Sequence, residues 1–358
     1  MPQKIIILGC GKIGTTLIQQ MLDKDPEKNF CIVGLVDIGT FLFNPQGIDQ
    51  KILTDIINNH NINQYGEKIK EINEVFAKTK NFKEQLFFVD ATAGKDELKD
   101  FHLKIIEDTK HCLVTANKNP VSLYDHDIYR RLTKTIRYQF TTTVMAGAGI
   151  VRFLRRLEAI YDDIQAIEGV FSGTLGFICG ELDKNRPISE VVKEAYDQGY
   201  TEPHPWNDLN GLDVARKLTI LARCAGFKVN VEDIEINPLL PDYLGQEKNI
   251  PQFLKNLEKE NKNIQNKVQK AQKNGNVLRY LASLKYEKQN LKLSVGLKEV
   301  PVQSSFGVLK GPANLVQIIT KCYPASSPYI LQSPGAGLEV TAASLRKDLL
   351  VLFQSNLH

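Results

Sequence analysis

The densest set of side chains suited to chemistry lies in an acidic loop and in the helical pattern that follows it. Glu202 stands in a loop bracketed by prolines, and Asp213 and Lys217 are spaced so that they share one helix face. Asp208 or Asn210 is the expected N-cap of that helix. The acidic loop suggests a site for an ammonium-bearing substrate. A surface ion pair explains Asp213 and Lys217 equally well on these residues alone.

A second candidate site is the glycine turn Gly-Cys-Gly-Lys-Ile-Gly at residues 9–14, which follows an apolar strand and opens a helix. In dinucleotide-binding folds such glycines allow a tight turn, close approach of the pyrophosphate and close packing of helix on strand. The helix N-terminus adds N–H groups and a positive dipole. An ordinary glycine turn is the alternative. The expected cofactor contacts are Gly9, Gly11, Lys12, Ile13 and Gly14.

Asp37 ends the second predicted strand, where an acidic residue bonds the ribose 2′-hydroxyl of NAD and repels the 2′-phosphate of NADP. It lies further from the glycines than the usual interval of about 20 residues, and the polar insertion at residues 23–29 explains the excess. Residues 38–41 supply no Arg or Lys for a phosphate. We therefore expect NAD to be favoured, with NADP possible, unless Asp37 merely caps a loop.

Two further strand ends should face the same crevice, because ligands of doubly wound sheets bind at the carboxyl ends of the strands. Thr92 and Ala93 follow one of these strands, and Thr115 and Asn117 follow the next. We expect these four residues to contact the cofactor and Lys118 to reach towards the nicotinamide. Plain surface polarity is the alternative for an Asn-Lys pair in a loop.

The elements that must position these residues begin with an α/β domain over residues 1–145. Short β-branched runs alternate there with helical patterns, which indicates a Rossmann-type, doubly wound parallel sheet. Strands are expected at residues 5–8, 30–36, 86–89, 112–114 and 136–140, and helices at 13–22, 49–58, 67–79, 96–109 and 120–133.

Residues 146–333 are expected to form an inserted α+β domain, because strands and helices follow one another there without strict alternation. The polar stretch at 246–275 predicts a solvated helix pair. Residues 342–353 predict an amphipathic helix, and the segment 334–358 should return to the first domain. The other expected strands are 164–171, 292–299 and 316–322, and the other helices are 150–161, 174–183, 188–198 and 209–225.

Composition excludes several function classes. The 358 residues include 45 Lys+Arg and 41 Asp+Glu, and a net charge of +4 is too dilute for a nucleic-acid partner. An apolar run of about 18 residues, as a membrane partner would require, is absent from the sequence, and the N-terminus does not look like a signal peptide. The six cysteines are scattered singly, so we expect reduced, packed thiols and a cytoplasmic protein.

Several of these motifs together resemble the homoserine dehydrogenases. The segment 199–217 resembles the family signature, as do Thr-Ala-Asn-Lys at 115–118, Phe-Ser-Gly-Thr-Leu at 171–175 and Ser-Pro-Gly-Ala-Gly at 333–337. The resemblance covers essentially the whole chain in order. It implies reversible reduction of L-aspartate 4-semialdehyde to L-homoserine with NAD(P)H, in threonine and methionine biosynthesis, by a homodimer that pairs through the second domain.

The resemblance also implies a role for each candidate residue. Lys217 and Lys118 would be catalytic, because both would lie near the aldehyde oxygen on which charge develops. Glu202 and Asp213 would hold the substrate ammonium with support from Asp208. The remaining implied contacts are Gly173 and Thr174 at the other end of the substrate, and Gly335 and Gly337 near the nicotinamide.

The chain departs from the family pattern in three places. His204 stands where the family more often has Asp, so it either tunes the acidic pocket or is a tolerated loop residue. The family's sodium-binding region corresponds to residues 141–147, where the carbonyls of Val144 and Ala146 would be the ligands. The acidic ligand expected near Thr141 is missing, which argues against the metal. We also expect a short form without a C-terminal regulatory domain or an aspartate kinase region.

Three rival functions remain on the sequence alone. A Rossmann dehydrogenase for a sugar or cyclitol would not need the acidic pocket formed by Glu202 and Asp213. A non-catalytic NAD-binding sensor would be expected to lose Lys118 or Lys217, and both are present. A related amino-aldehyde dehydrogenase of a specialised pathway would keep the chemistry and change the substrate.

Overall fold

The computed structural model describes residues 2–355 of the chain. These residues divide into two compact units. The first contains the chain up to Val151 and again from Ala336, and the second is Arg152–Gly335. The first unit ends at residue 151 and the second at residue 335, whereas the sequence predicted these boundaries at 145 and 333.

The strands form two sheets, one in each unit. In chain order the strands are β1 (Gln3–Leu8), β2 (Phe30–Asp37), β3 (Thr40–Phe43), β4 (Glu67–Lys68), β5 (Leu86–Asp90), β6 (Cys112–Thr115), β7 (Tyr138–Gln139), β8 (Ile164–Val170), β9 (Glu235–Ile236), β10 (Asn276–Glu287), β11 (Asn290–Pro301), β12 (Ala313–Thr320) and β13 (Tyr329–Pro334).

The helices cover much of the remaining chain, and among residues 2–355 none is long and apolar enough to cross a bilayer. In chain order they are α1 (Lys12–Asp23), α2 (Gln50–Asn59), α3 (Asn73–Thr79), α4 (Asp96–Asp108), α5 (Asn119–Ser122), α6 (His126–Thr133), α7 (Ile150–Ala159), α8 (Gly173–Leu182), α9 (Ile188–Asp197), α10 (Trp206–Leu209), α11 (Leu212–Cys224), α12 (Ile250–Asn256), α13 (Asn261–Lys273) and α14 (Leu338–Ser355).

The sheet of the first unit has the order β4-β3-β2-β1-β5-β6-β7, and the strands from β2 to β7 in that order run parallel. Its central strands are apolar, and Ile5, Ile6 and Ile7 of β1 are fully buried. Continuous apolar runs are typical of parallel strands that are covered on both faces. The predicted α/β fold with a doubly wound parallel sheet is confirmed.

One edge of this sheet differs from the prediction. β3 returns antiparallel to β2 through a tight turn at Ile38 and Gly39, and β4 pairs with β3. The helix expected at 67–79 is therefore replaced by β4 and the shorter α3. A strand of two residues is too short to show alternation, so periodicity does not reveal it.

The helix expected at 120–133 is also wrong in detail, because the structure divides it into α5 and α6. The second helix has its own N-cap, since Asp125 accepts the N–H of Ile128 at 3.1 Å. Asp is a favoured N-cap residue, and it marks a new helix start within a pattern that otherwise reads as continuous.

The sheet of the second unit has the order β13-β12-β8-β10-β11-β9 and is antiparallel except where β9 meets β11. β11 and β12 were predicted, whereas β10, β13 and β9 were not. β10 and β11 form a long hairpin whose turn residues Lys288 and Gln289 have φ of 48° and 64°. The first half of β10 is buried without a break, so it lacks the alternation by which half-buried strands are recognised.

The helix pair predicted at 246–275 is present as α12 and α13, joined by a 3-10 turn at Leu257–Glu260. α13 is mostly polar and buries only Ile264, Val268 and Ala271. This spacing places one narrow apolar stripe on the helix and leaves the rest of its surface to water.

The C-terminal helix belongs to the first unit, as expected, although α14 begins at Leu338 and not at 342. Ala342, Leu345 and Leu349 are fully buried in the same apolar cluster as Leu17 of α1. Gln20 of α1 also donates to the backbone and the side chain of Glu339. The apolar stripe of α14 thus completes the core on that side of the sheet.

Candidate active site

The glycine turn has the shape that a bound pyrophosphate requires. Gly9 and Gly14 leave no room for a Cβ, and Gly11 leaves its backbone open. Gly9 has φ +92°, and a Cβ there would lie 3.0 Å from Thr92 Cγ2. A Cβ on Gly14 would lie 1.9 Å from the carbonyl oxygen of Gly9, so helix and turn touch there. A Cβ on Gly11 would meet no described atom within 4 Å. The backbone at Gly11 is therefore open to a ligand, as a phosphate-binding turn requires.

The N-terminus of α1 carries backbone N–H donors that suit a phosphate. The helix begins at Lys12, and its N-cap Gly11 has no side chain to occupy the first N–H groups. Thr15 N–H donates to Gly11 O at 2.9 Å, so the intrahelical bonds begin only there. The first turn, all of it described, has no acidic residue to oppose an anion. The N–H groups of Lys12, Ile13 and Gly14 are thus placed to bind a phosphate.

Asp37 lies at the end of β2, half-buried, and its Oδ1 accepts the N–H of Ile38 at 2.9 Å. Ile38 at the tip of the turn is 96 % exposed. Across the hairpin Asp37 pairs with Thr40, and Thr40 pairs with Lys68, whose Nζ donates to Thr40 Oγ1 at 3.2 Å. Lys68 was not among the expected cofactor residues, because the strand β4 that carries it was not predicted.

The turn after β5 is folded by the carboxylate of Asp90. Thr92 donates to Asp90 Oδ1 through its N–H at 2.9 Å and its hydroxyl at 2.7 Å. This places Thr92 against Gly9, beside the glycine turn. The carbonyl of Ala93 accepts the Asn119 side-chain N–H at 3.0 Å. Thr92 therefore lies where a cofactor contact was expected, whereas the Ala93 carbonyl is bonded within the protein.

The turn after β6 is held internally. Thr115 is fully buried and accepts the Asn117 N–H at 2.9 Å. The Asn117 side chain donates to Gly94 O at 2.9 Å and accepts the Asn119 N–H at 3.0 Å, so both of its amide ends have protein partners. Thr115 and Asn117 thus shape the loop through these bonds, and their expected cofactor contacts stay a prediction. Lys118 follows them, half-buried, at the start of α5.

A buried polar chain below these turns was not predicted. The side chains of Asp90, His102 and Tyr138 are fully buried. His102 Nε2 lies 3.1 Å from Asp90 Oδ2, and His102 Nδ1 lies 3.0 Å from the Tyr138 hydroxyl. Burial raises the pKa of Asp90, but the His102 ring and the hydrogen bonds from Thr92 outweigh it, so the pKa lies below its usual range. Asp90 is thereby kept ionised and able to hold the Thr92 turn.

In the second unit the ammonium of Lys217 is held from two sides. Lys217 Nζ lies 2.8 Å from Asp213 Oδ2, one turn away on α11, and donates to the carbonyl of Phe171 at 2.7 Å. The Lys217 side chain is only 13 % exposed, against 35 % for Asp213. The pair is therefore a half-buried, oriented cation and not a mobile surface ion pair.

Asp208 organises the acidic loop. It accepts the Glu202 N–H at 2.8 Å and the Thr174 hydroxyl at 3.1 Å. Burial raises the pKa of Asp208, and the charges of Glu202 and Asp213 raise it further. Because the carboxylates of Glu202 and Asp213 act on Asp208, the three acids form a local negative site, and a cation bound there would favour the ionised form of Asp208. The three acids predicted for the substrate ammonium thus lie together.

The N-terminus of α8 lies beside this loop. Ser172 caps it by accepting the Leu175 N–H at 3.2 Å, so the N–H groups of Gly173 and Thr174 precede the capped part of the helix. The Thr174 hydroxyl donates to the Tyr200 carbonyl at 2.5 Å and holds the loop, so the expected substrate contact would be made by the Thr174 N–H. Gly335 packs against the Asn314 side chain in the second unit, and Gly337 (φ +148°) belongs to the first.

Two details of the acidic loop correct the sequence interpretation. Neither Asp208 nor Asn210 is the N-cap of α11, because Gly211 (φ +76°) holds that position, although Asn210 accepts the Leu212 N–H at 2.8 Å. His204 does not bond to Glu202. Its Nε2 lies 2.8 Å from the carbonyl of Glu247 and its ring packs edge-on against Phe253. His204 is therefore a loop anchor.

The remaining candidate groups are inert. Burial raises the pKa of Cys10, Cys112 and Cys179 to about 12, so these thiols stay protonated. Within residues 2–355 no group of three or more His, Cys, Asp or Glu side chains is placed to hold a metal ion. Ala146 lies in the second of two 3-10 turns that pack against α14, and Val144 is the extended residue between those turns.

Comparison with known proteins gives a consistent result. The family model for homoserine dehydrogenase matches residues 150–350. The homoserine dehydrogenase of Saccharomyces cerevisiae is 30 % identical, over 98 % of both chains. Bifunctional aspartokinase/homoserine dehydrogenases also match at 30–32 % identity, and the chain spans 38–43 % of their length.

Solved structures support the same fold. A crystal structure of a Candida auris protein of unknown function is 29 % identical, with a TM-score of 0.88 over 99 % of this chain and 98 % of that one. A hyperthermophilic archaeal homoserine dehydrogenase in complex with NADPH is 20 % identical, with a TM-score of 0.72 over 98 % of this chain and 97 % of that one. At that identity the second likeness shows the fold alone.

Proposed function

The chain belongs to the homoserine dehydrogenase family, and we propose that it catalyses the reversible NAD(P)-dependent reduction of L-aspartate 4-semialdehyde to L-homoserine. The observation that carries the proposal is the oriented ammonium of Lys217 close to the acidic loop. A fixed cation suits a carbonyl oxygen that gains charge, and a cluster of carboxylates suits an ammonium. The proposed substrate has both groups.

Lys217 is proposed to act on the reacting oxygen. A bound nicotinamide supplies the hydride to the aldehyde carbon in one direction and accepts it in the other. The Lys217 ammonium donates hydrogen bonds to the oxygen as it becomes an alkoxide and provides the proton that completes the alcohol. Asp213 and the Phe171 carbonyl orient that ammonium before the reaction, so little reorganisation is needed when charge develops.

The other groups of the second unit are proposed to bind the rest of the substrate. Glu202 and Asp213 accept hydrogen bonds from the α-ammonium, and Asp208 fixes Glu202 by accepting its N–H. The N–H groups of Gly173 and Thr174 at the start of α8 suit the α-carboxylate. Charged groups at both ends of the amino acid would fix its orientation, so that the aldehyde meets Lys217.

The first unit is proposed to bind the cofactor. Gly9, Gly11 and Gly14, with the first N–H groups of α1, fit the pyrophosphate, and Asp37 fits an unsubstituted ribose. We propose a preference for NAD over NADP, since a carboxylate repels the 2′-phosphate. Lys68 lies close to this position and bonds to Thr40, so it reduces the discrimination without removing it. Lys118 is proposed as the second catalytic lysine, on the resemblance of its motif.

The experiment that tests this function is a spectrophotometric assay of the purified chain with L-homoserine and either NAD or NADP. We expect reduced nicotinamide to form, with the higher kcat/KM for NAD. The matched control substrate is 4-hydroxybutyrate, which lacks only the α-ammonium. Losing a charge-assisted hydrogen bond of about 1.5–3 kcal/mol should lower kcat/KM by about 10- to 150-fold. No reduction of either cofactor by L-homoserine would contradict the proposal and favour another amino aldehyde or a sensor.

We also propose that the protein is a cytoplasmic homodimer that serves threonine and methionine biosynthesis. The six cysteines are scattered singly along the sequence, which supports a reducing compartment. The resemblance supports pairing through the second unit, whose sheet carries a groove lined by Glu168, Ser283, Lys285, Ser294 and Gln317. Light scattering on the eluting protein should give the mass of two chains, and the mass of one chain would refute the dimer.

A further inference from the structure

The segment between β7 and α7 has an unfavourable backbone conformation that needs outside support. Met145 and Ala146 have φ of 53° and 47°, in the left-handed region that side chains with a Cβ rarely adopt. Both residues are buried. Such conformations persist only where neighbouring groups hold them.

One face of α14 provides the support. Ser344 Oγ donates to the carbonyl of Ala146 at 2.7 Å, and Lys347 Nζ donates to the carbonyl of Gly147 at 3.1 Å. Asp348 accepts the N–H of Thr141 at 3.1 Å and its hydroxyl at 2.7 Å. Ser344, Lys347 and Asp348 have the spacing that places them on one helix face. Lys347 is exposed as a residue, and its ammonium reaches the carbonyl of Gly147.

These contacts do not fit the monovalent cation that the family resemblance implies. The carbonyl of Ala146 accepts from Ser344. The carbonyl of Val144 accepts the Gly147 N–H at 3.2 Å. Thr141 stands in place of the expected acidic ligand, and its hydroxyl donates a hydrogen bond to Asp348. The two carbonyl oxygens that the resemblance implies as ligands therefore already accept hydrogen bonds from the protein, and the acidic ligand is replaced.

An ammonium bound at Gly147 would also repel a second cation nearby. The hydroxyl of Thr142 is buried and has no hydrogen-bond partner among residues 2–355. One hydroxyl oxygen falls short of the several oxygen ligands that a hard cation requires. The Asp348 carboxylate at this turn is already bonded to Thr141, so the small number of available ligands disfavours a metal ion in this segment.

We propose that Lys347 is a built-in replacement for the cation, so that the turn at 141–147 is held by the chain's own ammonium. The tethered charge is present at any salt composition, and stability is therefore independent of sodium and potassium. The inference does not rest on the proposed reaction, because it concerns the fold of the first unit alone. It also separates this chain from any relative whose turn is held by a bound ion.

The test compares thermal unfolding in sodium, potassium and choline chloride at equal ionic strength, with the chain purified free of metal ions. Choline is too large to enter a carbonyl cage. The wild-type chain should unfold at the same temperature in all three salts. A saturable rise with sodium or potassium that choline does not produce would overturn the proposal and indicate a true cation site.

Two variants test the lysine itself. Lys347→Met keeps the stem and removes the charge, so it should unfold at a lower temperature than wild type in choline, whereas Lys347→Arg should unfold close to wild type. Lys24→Met is the matched control, because Lys24 pairs with Glu339 near the other end of α14 and is 59 % exposed. An unfolding temperature of Lys347→Met equal to that of wild type in choline would refute the role of Lys347. A Lys347→Met chain too unstable to purify, beside a stable Lys347→Arg, would support it.

Discussion

Replacing Lys217 with methionine removes the ammonium and keeps most of the aliphatic stem. In the wild-type chain this ammonium is 2.8 Å from Asp213 Oδ2 and 2.7 Å from the carbonyl of Phe171. Removal of one preorganised donor to a developing oxyanion typically lowers kcat by about 10²–10³-fold, or roughly 3–4 kcal/mol of transition-state stabilisation. We expect a loss of that size for L-homoserine oxidation.

The stability of the Lys217→Met variant should change much less. The lost hydrogen bond to Phe171 is worth about 1–2 kcal/mol of unfolding free energy. The ion pair adds little, because Asp213 is 35 % exposed and remains hydrated. The variant should therefore fold. Its affinity for NADH, measured by fluorescence titration, should stay within about twofold of wild type, because the proposed cofactor contacts belong to the first unit and Lys217 to the second.

The matched control is Lys193→Met, because Lys193 also forms a helical ion pair, with Asp197, but is 61 % exposed. Its kcat should equal that of wild type. The reasoning would be refuted by a Lys217→Met enzyme with near-normal kcat. It would also be refuted by an equal loss in Lys193→Met, since general helix destabilisation would then explain both.

Three further predictions follow from single positions. Gly14→Ala should lower the free energy of unfolding by about 3 kcal/mol or more, because its Cβ would lie 1.9 Å from a carbonyl oxygen. Gly11→Ala should unfold at the wild-type temperature and bind NADH weakly, because its Cβ has room but faces the proposed phosphate site. The KM for L-homoserine should rise as pH falls towards the raised pKa of Asp208, because protonation removes a negative charge from the acidic loop that binds the ammonium. Asp208→Asn should raise KM at neutral pH and make KM less dependent on pH. The pKa of Asp90 is lowered in the folded chain, so its contribution to stability is complete above the ordinary carboxyl pKa of about 3.9. That contribution is lost as pH falls through the folded value. Asp90→Asn should therefore make the free energy of unfolding, measured with urea, less dependent on pH in that acidic range.

The sequence predicted the parallel sheet and the glycine turn because both rest on local patterns. A continuous apolar strand, three spaced glycines and a helix are visible within a short stretch, and Gly9 and Gly14 have the steric roles expected of them. Lys68 was missed for the opposite reason, since only a two-residue strand pairing brings it to Thr40. Pairings between short strands distant in sequence leave no periodic signal.

The acidic loop shows the same limit in the site. The spacing of Asp213 and Lys217 predicted a shared helix face, and the structure has the ion pair. The sequence could not show that Phe171 supplies a carbonyl to Lys217, nor that His204 turns to Glu247. Likewise the burial of Asp90 with His102 depends on contacts between distant residues. Residue type indicated which groups are reactive, but only packing determined their partners.

The most direct test of the proposed reaction follows the hydride itself. The purified chain is given L-aspartate 4-semialdehyde and NADH carrying deuterium at the transferred position of the nicotinamide, and the product is examined by mass spectrometry and NMR. The account predicts L-homoserine with one deuterium at carbon 4. Unchanged semialdehyde would contradict it, as would homoserine formed without deuterium from either face of the labelled cofactor.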